Sequence, residues 1–165
     1  MSTAATAAKW RGQIRRATAE DAENVAYLAR ELAQSFTFDA DKFRAHYPVL
    51  LAKAASDDAC LLIAVDDGGE QLGYLLGFQH VSFFANGPVA QVEEILVRGS
   101  HQGQGIGRAL MDEFERWAAV LGCTVVALAT RRAAPFYHAL GYEESATYFR
   151  KVLVGFETLR DADGA

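Results

Sequence analysis

The sequence predicts a mixed α/β domain, and three observations carry that expectation. Short apolar runs bounded by turn signals read as strands, and apolar residues recur at helical spacing in other segments. These segments follow the order strand, two helices, three strands, helix, strand, helix, strands, which suits a mixed sheet with helices on its faces. The 165 residues are enough for one core, and no internal repeat or interior linker divides them. A single domain over 11–160 is expected, between loose tails at 1–10 and 161–165.

Residues 13–16 read as the first strand. Thr18 with Asp21 has the spacing of a helix-capping arrangement, and Val25, Leu28, Ala29 and Leu32 then recur at helical spacing. A second helix over 40–55 gathers Phe43, Tyr47, Leu50, Leu51 and Ala54 on one face. Pro48 removes an amide donor inside it, which predicts a kink or a split. Residues 61–65 and 71–79 read as strands of a hairpin turned at Asp67-Gly68-Gly69. Asn86-Gly87-Pro88 marks a loop or turn within 81–89, and 91–97 is the next strand. A long helix then carries Ile106, Leu110, Phe114, Trp117, Ala118 and Leu121, with Gly122 at its C-terminus. Residues 124–129 read as a buried strand and 132–140 as a short helix stopped by Gly141. One or two further strands follow from Tyr142 to about Leu153.

Composition narrows the function classes. The formal charge of −5 lacks the basic excess of a nucleic-acid binder and, if anything, favours cationic partners. Cys60 and Cys123 have no CxxC or Cys/His ligand spacing, so no structural zinc is expected. Both read as buried thiols of a reducing, cytoplasmic compartment. His46, His80, His101 and His138 show no metal spacing, and no Gly-x-Ser-x-Gly nucleophile signature occurs. No apolar run approaches the ~20 residues of a membrane span, and residues 1–8 lack the charged and apolar regions of a signal peptide.

The chemistry concentrates between the strand ending at Val97 and the helix opened by Gly105. Glycines alternate at 103, 105 and 107. Glycine permits positive φ and close backbone approach. A helix N-terminus adds free N–H groups, making an anion cradle suited to phosphate. A Walker A loop needs Gly-Lys-Ser/Thr, whereas Gly107 is followed by Arg108 and Ala109. A dinucleotide fingerprint beginning at Gly103 needs glycine or alanine where Arg108 stands. On these residues alone, a phosphate loop and a glycine-rich surface turn both remain open.

Three segments together resemble one family. Gln102-Gly103-Gln104-Gly105-Ile106-Gly107 is similar to the acyl-CoA loop, Arg/Gln-x-x-Gly-x-Gly/Ala, of the GCN5-related N-acetyltransferase (GNAT) family. Glu93-Glu94-Ile95-Leu96-Val97 resembles the acidic strand that precedes this loop. Phe136-Tyr137-His138-Ala139-Leu140-Gly141-Tyr142 resembles its Phe-Tyr-x-x-x-Gly-Phe/Tyr segment. The likeness is good over 71–153 and holds only in coarse outline before residue 60.

The resemblance implies a twisted, mostly antiparallel mixed sheet of roughly six or seven strands with about four helices, splayed between the fourth and fifth strands. Acetyl-CoA would insert in that gap. By resemblance, the backbone of Ile95, Leu96 and Val97 holds the pantetheine arm. Gln102, Gly103, Gln104, Gly105, Ile106, Gly107 and Arg108 hold the pyrophosphate. Thr130 stands where many relatives carry Asn, and Arg131 and Arg132 add cations. A homodimer is implied as well, and no metal.

Acetyl transfer to an amine needs a base, a polarised thioester carbonyl and an acid for the leaving sulfur. Glu93 is the first choice of base, since the resemblance aligns it with the residue lining the amine site of polyamine acetyltransferases; Glu94 stands beside it. Strand alternation places Glu93 with Gln91, Ile95 and Val97, and Glu94 with Val92 and Leu96. Tyr137 is the expected acid, and a backbone N–H near Leu96 the expected oxyanion donor. Phe36, Phe38, Phe83 and Phe84 are candidates to line the acceptor pocket. The expected function is N-acetylation of a primary amine, in a small molecule or a protein, by direct attack in a ternary complex. The rival readings are an acyl-CoA sensor without turnover and, more weakly, a nucleotide-binding module.

Overall fold

The computed structural model describes residues 9–33 and 36–154. Its elements run β1 (Gly12–Arg16), α1 (Ala22–Leu32), α2 (Ala40–Ala55), β2 (Ala59–Asp66), β3 (Gln71–Ser82), β4 (Gly87–Val97), α3 (Ile106–Val120), β5 (Val125–Leu128) and α4 (Ala134–Ala139). The strands lie in the sheet in chain order, β1-β2-β3-β4-β5. Each neighbour pair is antiparallel except β4 and β5, which run parallel across the α3 crossover.

Alternation along the strands divides the core into two layers. Cys60, Leu62, Ala64, Leu72, Leu75, Ala90 and Val92 face α3, whose Ile106, Leu110, Met111, Phe114 and Trp117 complete that layer. Leu61, Ile63, Val65, Tyr74 and Leu76 face α1 and α2, against Val25, Leu28, Ala29 and Tyr47. Gly77 permits the first layer to close. A Cβ there would lie 2.4 Å from the Phe114 ring, so any larger residue would push α3 off the sheet.

The entry to α1 is pinned by a part-buried ion pair. Asp21, 3% exposed, accepts from both guanidinium nitrogens of Arg15 at 2.8 and 2.9 Å. It also accepts from the Thr18 N–H at 2.7 Å and from the Gln71 amide at 2.6 Å. The Arg15 hydrogen bonds hold the Asp21 carboxyl at about 2, against burial, which acts in the opposite direction. Such a depressed group stabilises the fold above its unfolded pKa, and that contribution is lost as pH falls through the folded value. Asp21→Asn is therefore expected to cost about 2 kcal/mol near neutral pH. The difference from wild type should vanish between about pH 4 and pH 2, as read from urea melts across that window.

Several sequence expectations need correction. The strands beside the loop or turn expected within 81–89 run further than 71–79 and 91–97, pairing through Ser82↔Gly87, so that segment is a tight hairpin turn with Asn86 at a φ of 54°. α2 passes through Pro48 without a break; Phe43, Leu50 and Leu51 pack against the second layer on either side of it. β5 is only half-buried, with Val125 38% exposed, since among the described residues it pairs with β4 alone. The described sheet has five strands rather than six or seven. Residues 143–154 take no strand conformation, and Tyr148, Phe149, Leu153 and Val154 are exposed. Strand propensity reflects fit to a half-buried pleated surface, and that surface is missing here. Cys60 is buried, but Cys123 only partly so. The expected tail at 161–165 and residues 1–8 of the N-terminal one lie outside the described residues. The Trp10 backbone N–H donates to the Gln104 carbonyl at 3.2 Å.

Candidate active site

β4 keeps β5 as a partner only from Val89 to Val92, whereas the strand itself continues to Val97. Glu93 to Val97 therefore border an opening in the sheet. The chain leaves β5 at Leu128 and turns away into α4, which widens the opening into a cleft of about 830 Å³. Its walls are the end of β4, the loop from His101 to Arg108, residues 128–133, and Phe136 and Tyr137 of α4. Backbone polarity on this stretch of β4 is set by β3. The Leu96 carbonyl points toward Gly73, where a Cβ would lie 2.6 Å from it. By strand alternation the N–H and C=O groups of Ile95 and Val97 face the opening instead. Ile95, Val97, Gln102, Gly103, Gly105, Ile106, Gly107, Arg108 and Thr130 line the cleft; Leu96 and Gln104 do not.

The loop is shaped for a ligand rather than for packing. Gly103 and Gly105 have φ of 77° and 95°, and a Cβ on either would meet nothing within 4 Å. Gly105 is the N-cap of α3, so the free N–H groups of the first helical turn and the positive end of its dipole open onto the cleft. Gln102 ties the loop to the strand by donating its amide to the Val97 carbonyl at 3.1 Å. Arg108 donates to the Ala139 carbonyl at 3.1 Å, bracing the end of α4 while its cation stays at the cleft wall. The Thr130 hydroxyl accepts from the Ala133 N–H at 3.1 Å, which shapes the turn into α4.

A β-bulge governs the two carboxylates. Leu76 pairs with Glu94 but Gly77 pairs with Val92, leaving Glu93 without a partner. The extra residue reverses the alternation. Val92 therefore packs with Ile95 and Val97 in the α3 layer, while Glu94 turns to the Tyr74 and Leu96 side. The expected grouping of Glu94 with Val92 fails for that reason, as does that of Gln91 with Ile95 and Val97. Glu93 is exposed along the cleft. Glu94 is half-buried and accepts a hydrogen bond from the Tyr74 hydroxyl at 2.8 Å. Burial raises its pKa, the Glu93 charge adds to this, and the Tyr74 hydrogen bond opposes it. Glu94 also borders a second, smaller cavity under α1 and α2, which meets the cleft at Leu32, Phe36 and Glu94.

Of the two tyrosines in the Phe-Tyr segment, Tyr142 is committed to Glu115 on α3, donating at 2.7 Å. Tyr137 is 7% exposed, packs edge-on against Phe136 and Tyr142, and lines the cleft. Burial raises its pKa, keeping the phenol protonated at neutral pH. Burial also pushes the Cys60 thiol up to about 12, so it supplies no thiolate nucleophile. Phe36 and Phe38 line the smaller cavity, whereas Phe83 and Phe84 stand exposed at the hairpin tip and line neither. Sequence reading missed Tyr74, which no signal separates from an ordinary core tyrosine, and the bulge, which only the β3 register reveals. Among the described residues no cluster of three or more His, Cys, Asp or Glu is placed to hold a metal. No helix among them is long and apolar enough to cross a membrane.

This arrangement of splayed strand, glycine loop and tyrosine helix matches known proteins. The model of the acetyltransferase (GNAT) family matches residues 25–142. The chain belongs to that family. Among curated relatives, an aminoglycoside N(6')-acetyltransferase type 1 from Stenotrophomonas maltophilia is 31% identical over 113 residues, covering 63% of this chain and 74% of that protein. Among solved structures, glucosamine-6-phosphate N-acetyltransferase from Arabidopsis thaliana superposes with a TM-score of 0.74 at 16% identity, covering 86% of this chain and 98% of the other. AAC(6')-Iy in complex with the bisubstrate analogue CoA-S-monomethyl-acetylneamine superposes with a TM-score of 0.70 at 23% identity, over 86% and 98%. At these identities the structural matches show the shared GNAT fold.

Proposed function

We propose that this chain transfers an acetyl group from acetyl-CoA to a primary amine by direct attack within a ternary complex. The observation that carries this reading is the meeting of two cavities at Glu94. A cleft with an anion-binding loop lies on one side and a small acceptor-sized pocket on the other. The residues present fit the donor. The positive-φ glycines at 103 and 105 leave a cradle that side chains would fill. The free N–H groups of α3 and the Arg108 cation would hold a pyrophosphate, and the Ile95 backbone groups and Val97 N–H at the opening suit a pantetheine amide, the Val97 carbonyl being taken by Gln102. A solved relative has a CoA-containing bisubstrate analogue bound. Acetyl-CoA supplies the activated thioester.

Glu94, its pKa raised by burial, takes a proton from the ammonium held at the β4 bulge. Glu93, exposed beside it, adds negative potential that draws the cation in. The Ile95 N–H, freed from β3, stabilises the negative charge that develops on the carbonyl oxygen. Tyr137 delivers its proton to the departing sulfur. With Cys60 buried and its thiol raised, attack by the amine itself is the route the site supports.

Initial-rate measurements of thiol release, with both substrates varied, test this reading. Intersecting double-reciprocal lines are expected; parallel lines would contradict direct attack, and no amine-dependent release with any amine class would contradict the transferase. The loop is tested separately. Gly105→Val forces a β-branched residue to a φ of 95° at the α3 N-cap. This should weaken CoA binding roughly tenfold to a hundredfold, the strain of a bulky residue at positive φ. Calorimetry showing unchanged affinity would refute the loop assignment.

A further inference from the structure

Resting on that reading, the smaller cavity identifies the class of acceptor. It measures about 250 Å³ and lies between α1, α2 and the sheet. That is below the roughly 300–1,000 Å³ of sites for drug-sized ligands. Its wall is a row of aromatic rings: Phe38 and Phe43 have centroids 5.6 Å apart, and Phe43 and Tyr47 5.4 Å. Apart from His46, an exposed residue of α2, the polar groups along it are largely committed. The Tyr47 hydroxyl donates to the Thr18 carbonyl at 2.7 Å. Asp39 caps α2, accepting from the N–H groups of Asp41 and Lys42 at 3.0 Å, and it pairs with Lys42. That leaves Glu94, at the junction with the donor cleft, as the carboxylate placed to receive a cation.

We propose that the acceptor is a primary amine carried on one compact aromatic or apolar body, of arylalkylamine size, and not a polycation or an aminated sugar. The ring lies against Phe38, Phe43 and Tyr47, and the ammonium reaches Glu94 beside the donor thioester. A polyhydroxylated or polyamino ligand would bury several polar groups against a wall that, among the described residues, is mostly aromatic and aliphatic, at a cost for each group left unpaired. Further ammonium groups would also meet the Lys42 cation at the pocket wall.

The test compares kcat/KM for 2-phenylethylamine, ethylamine, spermidine and neamine at fixed acetyl-CoA. Calorimetry of 2-phenylethylamine into protein saturated with CoA accompanies it. Phenylethylamine should exceed ethylamine by about tenfold to a hundredfold, the gain from burying one aromatic ring, and should exceed spermidine and neamine as well. Phe43→Leu should shrink the ratio to ethylamine roughly threefold to tenfold. A preference for spermidine or neamine overturns this inference and leaves the transferase reading standing. If no amine is acetylated, the transferase reading falls and calorimetry decides the pocket: binding of phenylethylamine weakened by Phe43→Leu supports it, and no binding overturns it.

Discussion

Glu94→Gln is expected to lower kcat/KM about 10²-fold to 10³-fold at neutral pH, within the range for loss of a positioned general base. Glutamine keeps the shape of the side chain and an oxygen for the Tyr74 hydroxyl, now 2.8 Å from Glu94, so the bulge and the fold should persist. What disappears is proton affinity at the meeting point of the two cavities. The pH dependence separates this role from a structural one. In wild type, activity requires the carboxylate form. Because burial raises the Glu94 pKa, activity should fall with decreasing pH at values above the ordinary carboxylate range. In the Gln variant that limb should vanish. Its residual rate should follow the free-amine fraction, and the deficit should narrow as pH approaches the amine's own pKa. A deficit constant across pH would mark Glu94 as structural, and the matching profile in Glu93→Gln would move the base one residue back.

Tyr137→Phe is expected to reduce kcat about 10²-fold with little change in CoA affinity, which is the pattern of a group acting in the transition state. Phenylalanine retains the edge-on packing with Phe136 and Tyr142, so the variant should fold. Tyr142→Phe is the matched comparison. Its hydroxyl is bound to Glu115 and does not line the cleft, so its loss should lower stability more than turnover. Unchanged kcat in Tyr137→Phe would remove it from the mechanism.

How legible the molecule is in its sequence varies with the range of the interaction concerned. The α3 face, the Asp67-Gly68-Gly69 hairpin and the glycine loop are encoded locally, by periodicity and by residues that tolerate positive φ, and they lie where reading predicts. The faces of Glu93 and Glu94 are not. They depend on a bulge against Gly77, a register between strands that no local pattern carries. The lack of strand over the described residues 143–154 is likewise not legible locally, since strand propensity reflects fit to a half-buried pleated surface. The acceptor pocket is intermediate. Its rings are visible in the α2 periodicity, but their convergence with Glu94 depends on how α1 and α2 pack on the sheet.

The central claim, that an acetyl group passes from CoA to an amine at the β4 bulge, is tested most directly by following the group itself. Protein, acetyl-CoA labelled in the acetyl carbons and 2-phenylethylamine are mixed, and the label is located by mass spectrometry alongside thiol release. The prediction is label in an amide of the amine, formed in step with free thiol and largely abolished by Glu94→Gln. Label remaining on CoA, or accumulating on the protein while the amine stays unmodified, would contradict it.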